Sequence, residues 1–235
     1  MMQFFGKTDL GFVRKNNEDS FLVDYPLFAV ADGMGGHAAG EVASKMALDL
    51  LSNRVADFNG LSPENSMKKL LEIANKEILH YGQANSKSAG LGTTVTALYI
   101  VGEIGYWAHC GDSRLYLCRN GLLQQITEDH SLVEELVRGG FISRSEANIH
   151  PKKNMLTRAL GAEAAIDADT GRLQLYKGDR LLLCTDGLTN MVDDQDICRI
   201  ISQIGKNIEI RVNELIDLAK ISGGVDNVTA IIVEI

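Results

Sequence analysis

The sequence predicts an α+β fold in which two antiparallel sheets lie face to face and paired helices cover their outer sides. Three observations predict it. Candidate strands arrive in runs joined by tight turns, whereas a parallel sheet would alternate them with helices. The strand candidates LFAVA (27–31) and RLLLCT (180–185) carry unbroken apolar stretches, the pattern of strands covered on both faces. Helical candidates come mostly in pairs, each with an apolar stripe to bury.

Along the chain, Ser20 to Tyr25 and Leu27 to Ala31 read as two strands joined at Tyr25-Pro26. Glu41 to Phe58 then has helical periodicity, with Val42, Ala43, Met46, Ala47, Leu50, Leu51 and Val55 on one stripe. Ser62 as N-cap and Pro63 at the first helical position open a second helix, striped by Met67, Leu70, Leu71, Ala74 and Ile78. Strands are predicted over Thr93 to Val101, Ile104 to Cys110 and Arg114 to Cys118. Asn120-Gly121 signals a hairpin into Leu122 to Ile126. His130 to Val137 reads as a short helix stopped at Gly139-Gly140, and Ser143 with Glu146 forms a capping box for another. Helices near Gln195 to Ile204 and Ile208 to Ile221 precede a last strand, Val228 to Ile235.

With 235 residues, few prolines and no biased segment, residues 1–235 read as a single domain. A formal net charge of -8 argues against a nucleic-acid or anionic-membrane surface. It also means that an anionic ligand needs a local source of positive charge. Cys110, Cys118, Cys184 and Cys198 form no C-x-x-C pair and read as reduced free thiols. Residues 1–10 lack the pattern of a signal peptide and no apolar run could span a bilayer, so a cytoplasmic protein is expected.

Carboxylates recur where strands end. Asp32 ends LFAVA and Asp186 ends RLLLCT, each followed by glycine; Asp112 sits in the turn Gly111-Asp112-Ser113. Asp226 precedes the last strand, and Glu18 and Asp19 precede SFLVD. Any one Asp-Gly reads as an ordinary turn. Together they could converge at one sheet edge, where clustered carboxylates need a cation among them. Oxygen-only ligands suit Mg²⁺ or Mn²⁺ rather than zinc. Gly33 would let a backbone carbonyl approach such an ion. Two ions close together form a hydrolytic device for phosphoryl displacement, and they would make a positive pocket on an acidic chain. Arg14 could then fork onto two phosphate oxygens; read by itself it is a solvated loop arginine beside Lys15. Gly90-Leu91-Gly92-Thr93-Thr94 lacks the Gly-Lys-Ser/Thr of a nucleotide loop and reads as the start of a strand near the site.

Seven motifs occur in order: GFVRKNNEDS (11–20), FAVADGMGGH (28–37), GTTV (92–95), GDSR (111–114), LTRALG (156–161), CTDGL (184–188) and DNVT (226–229). Through them the chain resembles the metal-dependent protein phosphatases of type 2C in their compact bacterial form, from about Gly6 to Val233. The resemblance implies a four-layer αββα sandwich that hydrolyses phosphoserine and phosphothreonine in proteins through hydroxide activated at two core Mn²⁺ or Mg²⁺ ions. It implies that Asp32 bridges the two ions with the Gly33 carbonyl on one, that Asp186 and Asp226 hold the other, and that Asp112 with Asp186 matches a weaker third site. It implies that Glu18 and Asp19 act through bound waters, that Arg14 binds the substrate phosphate, and that residues 138–157 match a flap beside the site. Met34 stands where animal-type members carry a His. His37, three residues on, matches the His assigned as general acid in compact bacterial members, with a surface His in a Gly-rich loop as the alternative reading. His109 and His130 read as structural. Phosphorylated proteins, among them a serine/threonine kinase, are the implied partners of a monomer. A catalytically silent phosphoprotein binder would be expected to lose acidic positions, and here all are filled; a phosphatase dedicated to one regulator stays open.

Overall fold

The computed structural model describes residues 2–35, 39–54, 62–85 and 90–235. Among them are eleven strands and seven helices. One sheet runs β1 (Gln3–Asp9), β11 (Val228–Glu234), β10 (Arg180–Cys184), β7 (Arg114–Arg119) and β8 (Leu122–Gln125). The other runs β2 (Asp19–Asp24), β3 (Leu27–Met34), β5 (Val95–Val101), β6 (Ile104–Cys110) and β9 (Asp169–Gln174), with β4 (Gly92–Thr93) paired to the end of β3. Every pairing is antiparallel.

The all-apolar strands owe their composition to the layering. Phe28 and Val30 from β3, Leu181 and Leu183 from β10, and Ile231 and Val233 from β11 fill the core between the sheets. The alternate residues Leu27, Ala29 and Ala31 face outward onto α1 (Ala39–Arg54) and α2 (Pro63–Ala84). Likewise Leu182, Cys184, Ala230 and Ile232 meet a second helical layer. That layer comprises α5 (Asp186–Thr189), α6 (Asp194–Ile201) and α7 (Ile208–Ile221). A period of two with both phases apolar is what a strand inside a four-layer αββα sandwich requires.

Local signals hold where they carry a mechanism. The Ser62 side chain accepts from the Asn65 amide with Pro63 in the first turn of α2. The Ser143–Glu146 capping box opens α4 (Arg144–Asn148), which follows α3 (Leu132–Arg138). Asn120 and Gly121 both take positive φ, 54° and 76°, as the β7–β8 hairpin demands. Helix α1 starts two residues earlier than the periodicity suggests. Val55 and the predicted end of that helix lie outside the described residues.

Three elements escape the sequence pattern. β1 and β9 are edge strands, each paired on one side only, so neither needs an apolar run. α5 is a single turn hidden in what reads as an Asp-Gly turn. The predicted strand 93–101 is divided at Thr94, whose amide donates to the Asp32 carbonyl at 2.9 Å. Among the described residues no helix is long and apolar enough to cross a membrane.

Candidate active site

The strand ends gather the carboxylates. Asp32 lies in the outer half of β3, Asp112 in the β6–β7 turn, Asp186 at the start of α5 and Asp226 just before β11. With Glu18, all four line one cleft of about 670 Å³ that also holds Arg14, Gly33 and Thr94. Asp112 and Asp186 face a second cleft of about 870 Å³ as well, walled by the 131–154 segment and by residues 189–195. The predicted convergence is therefore present, and the flap-like segment lines both clefts, with Asn154 on each.

Asp19 is placed differently. It is buried below the cleft, where the Thr185 and Thr229 hydroxyls donate to its Oδ2 at 2.8 and 2.6 Å. Its Oδ1 and the Oδ1 of Asp186 are enclosed without a hydrogen-bond partner among the described residues. Burial is the largest cause of the raised carboxyl pKa values here. Burial and the neighbouring Asp19, Asp186, Asp112 and Asp226 charges push Asp32 well above the usual carboxylate range. Burial and Asp186 do the same to Asp112, and burial and Asp226 raise Asp186. Asp19 is pushed up to about 7 by burial, against the pull of its two hydroxyl donors. Buried, mutually repelling carboxylates with orphaned oxygens are the donor set a hard divalent cation relieves, so the residues fit such ions. Among the described residues no three acidic, His or Cys side chains close around a single point as a finished cage. Ions here would therefore draw on backbone oxygen and water as well, which is ordinary for Mg²⁺.

The two Asp-Gly pairs are not turn glycines. Neither Gly33 nor Gly187 has a positive φ. Each lacks a side chain because another backbone passes too close. A Cβ on Gly33 would stand 2.1 Å from the Gly40 carbonyl oxygen and 2.7 Å from that of Glu18. A Cβ on Gly187 would stand 1.9 Å from the Asn227 carbonyl oxygen. These approaches dock α1 and the Glu18 loop on β3, and α5 on the Asp226-Asn227 turn. Gly33 is thus required by packing as well as suited to an exposed carbonyl.

Several residues that hold the site were not singled out from the sequence. The Asp32 amide donates to Thr94 Oγ1 at 2.9 Å, and that hydroxyl shares a 2.8 Å bond with Ser113 Oγ, tying β3 to the Asp112 turn. Asn227 donates from Nδ2 to the carbonyls of Leu10 and Asn16 and accepts the Glu18 amide at 2.8 Å. One side chain thereby fixes the loop that carries Arg14 and Glu18. Asn190 Nδ2 donates to Asp186 Oδ2 at 3.0 Å. The motifs GTTV, GDSR and DNVT contain most of these residues, but spacing alone does not say whom a Thr or Asn will bond.

Arg14 is at the cleft and engaged: its Nη2 meets Asp226 Oδ2 at 2.7 Å, half exposed. Exposed pairs of this kind contribute about 0.2–1 kcal/mol, so the guanidinium exchanges partners at little cost. His37 lies outside the described residues. His109 is buried between Thr96 Oγ1 and the Glu128 carbonyl, and burial lowers its pKa to about 3. His130 accepts the Gly111 amide at 3.1 Å. Both are structural, as expected. The four cysteines are free, and burial pushes the Cys110 and Cys184 thiols up to about 12.

Residues 8–228 match the description of protein phosphatase 2C. The chain belongs to the protein phosphatase 2C family. It is a metal-dependent serine/threonine protein phosphatase. The serine/threonine phosphatase Stp of Listeria monocytogenes is 41% identical over a 237-residue alignment covering 97% of this chain and 94% of that protein. The crystal structure of the Mycobacterium tuberculosis serine/threonine phosphatase PstP/Ppp superposes with a TM-score of 0.94 at 37% identity, covering 100% of this chain and 98% of the other. A structure of the PstP catalytic domain with two manganese ions matches with a TM-score of 0.91 at 36% identity, covering 99% and 97%. These similarities bear out the four-layer sandwich and the reaction class expected from the motifs.

Proposed function

We propose that the cleft lined by Asp32, Asp112, Asp186, Asp226 and Glu18 is where this chain hydrolyses phosphoserine and phosphothreonine in proteins, with Mn²⁺ or Mg²⁺ as cofactor. The observation that carries the reading is the convergence of five acidic side chains from separate strand ends on one cleft that also contains Arg14. In this reading Asp32 and the Gly33 carbonyl, with Asp186 and Asp226, hold two core ions, and Asp112 with Asp186 holds a third. Asp19, below the floor, acts on the ions' waters or by setting the position of Asp186 through Thr185.

When bound, the ions supply positive charge for the phosphate and acidify a water so that it can attack at neutral pH. The chain's own residues do the rest. Arg14, paired here with Asp226, would be free to fork onto phosphate oxygens once Asp226 helped to hold an ion. Asn190 orients Asp186, and the Thr94–Ser113 pair holds Asp32 in register with Asp112. His37 is the proposed proton donor to the departing serine or threonine alkoxide. A serine/threonine kinase is the proposed source of the phosphoproteins, and the chain is proposed to act as a one-domain monomer in the cytoplasm.

The test is hydrolysis of a phosphothreonine peptide by purified protein. Turnover is expected with Mn²⁺ or Mg²⁺ and its disappearance on chelation; full activity after exhaustive chelation would contradict the proposal. Zinc is expected to substitute poorly on these oxygen ligands.

A further inference from the structure

Beside the cleft lies an apolar ridge that the hydrolysis does not use. Phe12 and Val13 are 68% and 64% exposed, directly before Arg14, and Val225 is 48% exposed directly before Asp226. Large exposed apolar side chains cost solubility, and a cluster of them calls for an occupant. This cluster is also built to stay in place. The Phe12 amide donates to the Gly224 carbonyl at 2.7 Å, and the Lys220 ammonium sits 5.3 Å from the Phe12 ring centroid. Lys220 in turn reaches Asp9 at 2.9 Å, and Asn227 holds the Leu10 and Asn16 carbonyls. Loops clamped this thoroughly hold their backbone in one arrangement, which suits recognition.

We infer that the Phe12–Val13–Val225 ridge is a docking surface for an apolar side chain flanking the phosphorylated residue, so that this phosphatase prefers phosphoproteins with a Leu-like residue near the phosphosite. The inference rests on the cleft being the catalytic site. Its argument is continuity: the ridge and Arg14 share one loop, and the ridge and Asp226 share another. Two residues of chain span at most about 7 Å, so Phe12 stands within that reach of Arg14. An extended substrate advances about 3.3 Å per residue, so a side chain two or three positions from the phosphoresidue meets the ridge. Contacts remote from the reacting phosphate of this kind raise kcat/KM for long substrates and do nothing for small ones.

The experiment uses phosphothreonine peptides in which a single Leu or Ser is walked through the three positions on either side of the phosphoresidue, with p-nitrophenyl phosphate as the small substrate. At one or two positions Leu is expected to raise kcat/KM about tenfold over Ser, equivalent to ~1.4 kcal/mol. Val13→Ser and Phe12→Ser are each expected to abolish most of that preference, and in Val13→Ser p-nitrophenyl phosphate hydrolysis stays within about twofold of wild type. Val13→Ser removes no packing partner of Gly224 or Lys220, so it keeps the test valid where Phe12→Ser loosens the loop. Equal hydrolysis of all peptides, a Leu preference that survives both variants, or an equal loss on the small substrate in Val13→Ser would overturn the inference. A change of Val13→Ser in sedimentation behaviour without a change in peptide preference would overturn it too, by assigning the ridge to a second copy of the chain. Absence of metal-dependent hydrolysis on every substrate would instead overturn the catalytic reading, so the two failures are distinct.

Discussion

Gly33→Ala is the substitution that best separates close packing from turn chemistry at the site. Gly33 needs no glycine for its backbone angles, so an alanine is conformationally allowed there. The added methyl would stand 2.1 Å from the Gly40 carbonyl oxygen and 2.7 Å from the Glu18 carbonyl oxygen. A relaxed contact needs about 3.3 Å, so the start of α1 must retreat from β3 by roughly an ångström, and neither obstacle is a flexible side-chain end. Overpacking of a tight interior costs about 1–3 kcal/mol and occasionally more. Against backbone on two sides we expect the upper end, about 3 kcal/mol. At about 2–4 °C per kcal/mol for a chain of this size, the melting temperature should fall by roughly 6–12 °C. The same displacement moves Glu18 and Asp32, and misplacement by about 1 Å costs on the order of 10²-fold in rate. Thermal melts with and without Mn²⁺, together with p-nitrophenyl phosphate turnover, read both effects. A variant that melts within 1 °C of wild type (~0.5 kcal/mol or less by the same scaling) and keeps its turnover would refute the close-approach argument.

Four further outcomes are expected. Arg14→Ala should raise KM for a phosphopeptide well above the effect of Lys15→Ala, with a charge-assisted contact contributing about 1.5–3 kcal/mol; equal small effects would return Arg14 to the role of a solvated loop residue. His37→Ala should slow phosphopeptide hydrolysis by roughly 10²–10⁴-fold and p-nitrophenyl phosphate hydrolysis much less, because a nitrophenolate leaves without a proton; similar losses on both would point to a damaged loop. Asn227→Ala should raise KM and lower turnover together, since one amide holds the loop bearing Arg14 and Glu18; steady-state kinetics unchanged in both parameters would remove it from that role. The last concerns pH. Asp19, Asp32, Asp112 and Asp186 have folded-state pKa values raised above the unfolded values, so the folded chelated protein binds more protons than the unfolded chain across that window. Its stability should therefore fall as pH rises from about 4 through about 7, and the gain in melting temperature on adding Mn²⁺ should be larger at pH 8 than at pH 5.5; an equal or smaller gain at pH 8 would contradict the carboxylate assignment.

Much of this site can be read from the chain because its carboxylates sit at the ends of strands whose composition is itself diagnostic. LFAVA and RLLLC are apolar at every buried position since one phase faces the other sheet and the other phase faces helices, and that burial makes the strand ends easy to find. Caps and hairpin turns were equally legible, because Ser62, Ser143 and Asn120-Gly121 act through local chemistry. Two edge strands were not: β1 and β9 are paired on one side only and lack an apolar run or a hairpin signal, whereas the edge strands β2 and β8 are marked by Tyr25-Pro26 and Asn120-Gly121. Nor were the supports. That Asn227 spans to Leu10, Asn16 and Glu18, more than 200 residues away, is a consequence of β11 pairing with β1 and has no local signature. The glycines mislead most instructively, since Asp-Gly suggests a turn at both Gly33 and Gly187, and in each case a distant carbonyl is the reason.

The measurement that tests the central claim most directly is calorimetric titration of Mn²⁺ into metal-free wild type, Asp32→Asn and Asp112→Asn. The shared cleft predicts two tightly bound ions in wild type, loss or strong weakening of both in Asp32→Asn, and retention of both in Asp112→Asn with slower turnover. Unchanged stoichiometry and affinity in Asp32→Asn would contradict the claim that these converging carboxylates hold the catalytic ions.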